Sequence, residues 1–129
     1  MKNIAIALYL SLPLVPLSIA GQERTEKIAI ASEGTTIESS VGGKAARCKH
    51  FLIFDKEGKL SDVLENPCRN ASSGAGSMTA DFLAQEEVTL LVAGNIGYKM
   101  IAALQAKKIA HLQFSGTVEN ALERALEKP

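Results

Sequence analysis

The chain has no tryptophan among its 129 residues, only 5% aromatic residues, two cysteines, two histidines and no formal net charge. Each shortage excludes something. Balanced charge, 14 Lys plus Arg against 14 Asp plus Glu spread along the sequence, gives no broad positive field for a phosphate backbone, so nucleic-acid binding is disfavoured. No apolar run reaches the roughly 18 residues of a membrane span. Ten glycines and four prolines are too few for a low-complexity chain. The length suits one core, hence one domain.

The N-terminus carries a composite pattern. Met1-Lys2-Asn3 precedes an apolar stretch from Ile4 to Leu17, and Ser18-Ile19-Ala20 supplies small residues before Gly21. This is the three-part layout of a secretory signal, with cleavage expected after Ala20. The competing reading, a buried first strand over Ile4 to Leu10, is opposed by Pro13 and Pro16, which would interrupt its continuation. The division expected is a signal peptide over residues 1–20, a polar lead over 21–26 and a single domain over 27–129, in a periplasmic or secreted protein. Once the signal is removed, no contact with a membrane is expected.

Export would place Cys48 and Cys68 in an oxidising space, where two thiols in a small domain commonly form a disulfide. Local patterning agrees. Phe51 to Asp55 reads as a strand, Glu57-Gly58 as a tight turn and Lys59 to Leu64 as the returning strand, a register that brings Cys48 within one residue of Cys68. If the thiols stay free, Cys48, Cys68 and His50 become the candidate metal ligands.

The remaining pattern is Lys27 to Ala31 as a strand, a long loop from Thr35 to Lys49, helices over Ser77 to Glu87, from Gly97 through Ala106, and over Val118 to Glu127, and strands over Val88 to Ala93 and Ile109 to Phe114. The order βββαβαβα, with two right-handed crossovers, predicts a three-layer α/β domain. Its mixed five-stranded sheet has the order 3-2-1-4-5, with only strand 2 antiparallel, which is the ribonuclease H-like arrangement. Four strands then end, and three helices begin, along one edge of the sheet. Glycine turns and helix N-termini there present free N–H groups and positive dipole ends, suited to an anion. The rim residues expected to bind are Ser32, Gly34, Lys44, Arg47, Gly74, Gly76, Gly94, Asn95, Gly97, Ser115 and Thr117.

Catalytic machinery is not apparent. Asp55, Asp62, Glu65 and Asp81 are scattered, strand 1 carries no carboxylate for a two-metal nuclease, and neither G-x-S-x-G nor C-x-x-C occurs. Gly94-Asn95-Ile96-Gly97 lacks the third glycine of a dinucleotide fingerprint. The expectation is a binding protein without enzymatic activity.

Five stretches, in order, resemble the dinitrogenase iron-molybdenum cofactor biosynthesis family, the NifX/NifB-type cluster-binding domain related to nitrogen fixation. They are Lys27 to Ser32 (KIAIAS), Gly43 to Asp55 (GKAARCKHFLIFD), Asn66 to Gly76 (NPCRNASSGAG), Val92 to Gly97 (VAGNIG) and Ser115 to Leu122 (SGTVENAL). The resemblance implies a ribonuclease H-like fold and a carrier for an anionic iron-sulfur or molybdenum-iron-sulfur cluster, with a cluster donor or acceptor protein as partner. Arg47 matches the family's His-Phe-Gly-Arg-Ala stretch, whereas Lys44 stands where that stretch has histidine. A protonated lysine can offset cluster charge but has no lone pair for iron. The alternative is an exported, disulfide-stabilised module whose rim takes another small anion or a protein partner.

Overall fold

The computed structural model describes residues 26–127; the expected signal, residues 1–20, and nearly all of the polar lead lie outside the described residues. The elements are β1 (Lys27–Ser32), β2 (His50–Asp55), β3 (Leu60–Glu65), α1 (Ala75–Gln85), β4 (Leu90–Ala93), α2 (Tyr98–Ala106), β5 (Ala110–Gln113) and α3 (Val118–Leu126). The sheet order is β3-β2-β1-β4-β5, with β2 antiparallel to both neighbours and the β1–β4 and β4–β5 pairs parallel. The expected arrangement is therefore the observed one. Among the described residues, no helix is long and apolar enough to cross a membrane.

Strand periodicity explains the layers. Alternate residues of β1 point to opposite faces. Ala29 and Ala31 join Phe51, Ile53, Leu91, Leu83, Met100 and Leu104 beneath α1 and α2, while Ile28 and Ile30 join Leu52, Phe54, Val92, Val118 and Ala121 beneath α3. With both faces covered, β1 is buried from Ile28 to Ser32, as its nearly unbroken apolar run requires. The edge strand β3 is largely exposed. There Asp62 turns its own carboxylate back to accept the N–H of Val63, at 2.9 Å, which removes one donor from the open edge.

Helix ends account for the shifted strand starts. Glu87 and Lys108 adopt left-handed φ values of 67° and 62°. Val88 then donates back to the Leu83 carbonyl and Ile109 to the Leu104 carbonyl, closing each helix with a Schellman turn whose apolar pair is buried. Val88 and Ile109 thus anchor helices, and β4 and β5 begin later than the apolar runs predict.

The β2–β3 register follows the turn, pairing His50 with Glu65, Phe51 with Leu64, Leu52 with Val63 and Ile53 with Asp62, before a shift near Phe54. It does not continue to the cysteines. Cys48 and Cys68 are buried free thiols, which corrects the expected disulfide between them. The physical reason is Asn66. Its side-chain amide donates to the Ala46 and Cys48 carbonyls, its oxygen accepts the Cys68 N–H, and its nitrogen lies 3.9 Å from the Cys48 sulfur. The hairpin end is closed by an amide rather than a covalent bridge.

The long loop before β2 is laced across the ends of the central strands. Gly42 donates to the Ala31 carbonyl, Gly94 to the Gly42 carbonyl, Ala45 to the Asn95 carbonyl and Val41 to the Gly116 carbonyl. Gly94 must be glycine for this approach, because a Cβ there would sit 3.0 Å from both the Gly42 oxygen and the Gly43 Cα.

Candidate functional site

Where the loop crosses the starts of α1 and α2, it leaves a pocket of about 340 Å³, lined by Lys44, Ala45, Ala46, Arg47, Ala75, Gly76, Asn95, Gly97, Lys99 and Met100. Three of these are cationic and none is a carboxylate. Lys44, Arg47 and Lys99 are exposed, so their charges stay hydrated, while Met100, 3% exposed, is the soft apolar residue of the lining.

Two helix starts contribute. Gly74 caps α1 in the left-handed region at φ 71° and Gly97 caps α2 with extended backbone, and neither helix has a side-chain cap. The opening amides of a helix have no intrahelical partner, so both starts offer donors and the positive ends of their dipoles. The third start does not. Thr117 accepts the Asn120 N–H at 3.2 Å, while the N–H groups of Val118 and Glu119 bond to the carbonyls of Ser39 and Ile37. The expected convergence of three free helix starts is therefore reduced to two by the long loop.

The pocket wall is held in place by specific bonds. Arg47 donates through Nη1 to the Arg69 and Ala71 carbonyls, at 2.8 and 2.7 Å, and so ties down the segment that enters α1. Asn95 and Gly97 flank Ile96, whose N–H is accepted by Gln113 Oε1 at 2.8 Å. The structure thus brings Lys44, Arg47, Gly76, Asn95 and Gly97 of the expected rim to one cavity. Ser32 and Gly34 instead close their own turn, the Ser32 hydroxyl bonding the Gly34 carbonyl and N–H. Gly94 serves loop packing, and Ser115 and Thr117 sit at the start of α3.

The metal-ligand candidates lie elsewhere. His50 lines a separate, more polar pocket of about 270 Å³ with Lys49, Glu65, Asn66, Pro67, Arg69 and Asn70, and its Nδ1 is buried without a hydrogen-bond partner. Among the described residues, no group of three His, Cys, Asp or Glu side chains comes together to hold a metal ion. Cys48 is fully buried and its thiol donates to the Ala45 carbonyl. Loss of water pushes this thiol from its ordinary 9.0 up to about 12, and the Glu33 charge adds to the rise, against hydrogen bonds from the Ser32 backbone and the Asn66 amide. It is therefore a poor source of thiolate at neutral pH.

That shift has a stability consequence. The folded chain holds the Cys48 proton more tightly than the unfolded chain, so stability from this group is complete below pH 9 and lost as pH climbs towards 12. The loss approaches about 1.4 kcal/mol per pH unit at most. In urea denaturation at pH 8, 9 and 10, the gap between wild type and Cys48→Ala should narrow above pH 9. A constant gap would contradict the assignment.

Sequence reasoning missed Lys99, Met100, Asn66 and Gln113. Lys99 was legible as the second residue after the Gly97 turn, and so as part of the first helical turn on the rim.

The profile of the dinitrogenase iron-molybdenum cofactor family matches residues 26–128. The chain belongs to this family. Among solved structures, this iron-molybdenum cofactor family chain is similar to the apo form of the orange protein from Desulfovibrio gigas, with a TM-score of 0.74 and 30% identity over 79% of this chain and 88% of that one. It is also similar to a Thermotoga protein provisionally named NifB, with a TM-score of 0.66 and 30% identity over 78% and 86% of the two chains. An uncharacterised protein of Methanocaldococcus jannaschii is 30% identical over 76 residues, 57% of this chain and 61% of that protein's length. The family resemblance read from the five sequence stretches is thereby confirmed.

Proposed function

We propose that this member of the iron-molybdenum cofactor family binds and carries an anionic metal-sulfur cluster in the pocket between the starts of α1 and α2, without transforming it. The observation that carries the reading is the lining itself: Lys44, Arg47 and Lys99 and two uncapped helix starts surround a cavity with no carboxylate, thiolate or imidazole. Family membership supplies the nature of the cargo. Such a lining favours a cluster whose metals are already saturated by their own sulfides, held by charge and N–H donors rather than by bonds from protein to metal. Cargo held in this way can be received from a donor protein and released to an acceptor without ligand exchange. Cys48, Cys68 and His50 have no part in it, and the free thiols remove the support for an exported disulfide module.

Tetrathiomolybdate, a small soluble molybdenum-sulfide dianion, is the probe. Equilibrium dialysis with molybdenum quantification should show saturable uptake near one equivalent, undisturbed by equal concentrations of molybdate or phosphate. Absence of saturable uptake overturns the reading, and displacement by phosphate would make this a general oxyanion site. We further propose, from residues 1–20, that the carrier works in the periplasm or outside the cell; the intact mass of protein made in its native host should then begin at Gly21, and a cytosolic form retaining Met1 would refute this.

A further inference from the structure

Gly97 is a glycine that neither its backbone nor its packing demands. Its φ of −67° and ψ of 156° are open to any residue, and a Cβ built on it meets no atom within 4 Å. It occupies the N-cap of α2, a position where Ser, Thr, Asp and Asn cap better than glycine. The same chain shows the usual solution at α3, where Thr117 caps with its hydroxyl. Gly74, at the start of α1, is different, because its left-handed φ of 71° accounts for it. What distinguishes Gly97 is its place. It lines the cavity, and open space lies where its side chain would be.

We propose that Gly97 is the specificity-determining position of this pocket. Its bare Cα lets a sulfide face of the cargo reach the first-turn amides of α2, which a capping side chain would otherwise take for itself. The proposal rests on the cluster-carrier reading and adds a residue-level cause to it. Lys99, in that same first turn, offers an N–H and an ammonium from one residue, so the ligand class it fits is a compact, multiply charged metal-sulfide anion that accepts from several donors at once. A small, singly charged anion would gain far less from the arrangement.

Gly97→Ser is the decisive variant, since a serine hydroxyl would accept from the α2 amides intramolecularly. Gly43→Ala is its control: a Cβ on Gly43 also meets nothing within 4 Å, yet Gly43 does not line the pocket. The expected result is a melting temperature for Gly97→Ser equal to or above wild type, together with tetrathiomolybdate affinity weakened about tenfold or more, while Gly43→Ala binds as wild type does. Wild-type affinity in Gly97→Ser overturns the proposal and leaves the carrier reading intact. A markedly lowered melting temperature would show that the fold needs the glycine, and also overturns it. Absence of binding by wild type removes both the carrier reading and this proposal, whereas equal weakening in Gly43→Ala removes only the specificity of Gly97.

Discussion

Replacing Asn66 with alanine is expected to lower the unfolding free energy by about 3–5 kcal/mol, measured by urea denaturation at neutral pH. Asn66 is 7% exposed, and one side chain serves three backbone groups: the Ala46 and Cys48 carbonyls and the Cys68 N–H, each at 3.0 Å. Truncation would orphan all three at once. An unsatisfied buried polar group costs about 1–3 kcal/mol, and water entering at this sheet end recovers part of that sum. Asn66→Asp separates the roles, because it keeps the acceptor for Cys68 but sets a carboxylate against two carbonyls, and it should be no more stable than the alanine variant at neutral pH. A loss below about 1 kcal/mol in Asn66→Ala would mean that the loop and hairpin end hold together without the amide.

Asn66 also shows where the sequence stopped being readable. The order and direction of all five strands followed from alternation, continuous apolar runs and crossover handedness, because those signals are local. The hairpin register followed from the Glu57-Gly58 turn for the same reason. Extending that register to Cys48 and Cys68 assumed a ladder that runs on past Asn66-Pro67. The chain instead turns away there, held by a side chain whose partners come from two different loops and leave no periodic trace. The ends of α1 and α2 were hidden differently. Glu87 and Lys108 take the left-handed position that glycine usually fills, so the apolar residues after them read as strand starts.

The candidate site was legible to the extent that topology creates it. A mixed sheet with two crossovers puts the turns after β4 and before α1 on one edge, and Lys44, Arg47, Gly76, Asn95 and Gly97 came together accordingly. The start of α3 belongs to the same edge by topology but is unavailable, because Ile37 and Ser39 of the long loop have already taken its amides. Nothing in the composition of that loop foretells its path; it becomes visible only when the bridges Ser32 to Val41 and Ser40 to Thr117 are seen.

Neutralising Lys44 and Lys99 together, as Lys44→Gln with Lys99→Gln, is expected to weaken tetrathiomolybdate binding about 100-fold at low ionic strength. One unit charge near 4 Å from another is worth about 1 kcal/mol in water, and a dianion doubles that, so two lysines supply roughly 3–4 kcal/mol before side-chain freezing reduces it. Both lysines are exposed and, among the described residues, neither side chain has a hydrogen bond or ion pair, so the unfolding midpoint should stay within experimental error of wild type. Salt decides whether charge is the cause. The screening length shrinks from about 10 Å at 0.1 M salt to about 3 Å at 1 M, so the wild-type advantage should contract to roughly tenfold or less as salt rises. The hydrogen-bonded part of binding, from the helix amides, would remain as a salt-insensitive floor common to both proteins. An equal loss at every ionic strength would assign the lysines a steric role at the pocket mouth. No loss at all would remove electrostatic capture as the means by which this rim holds an anion.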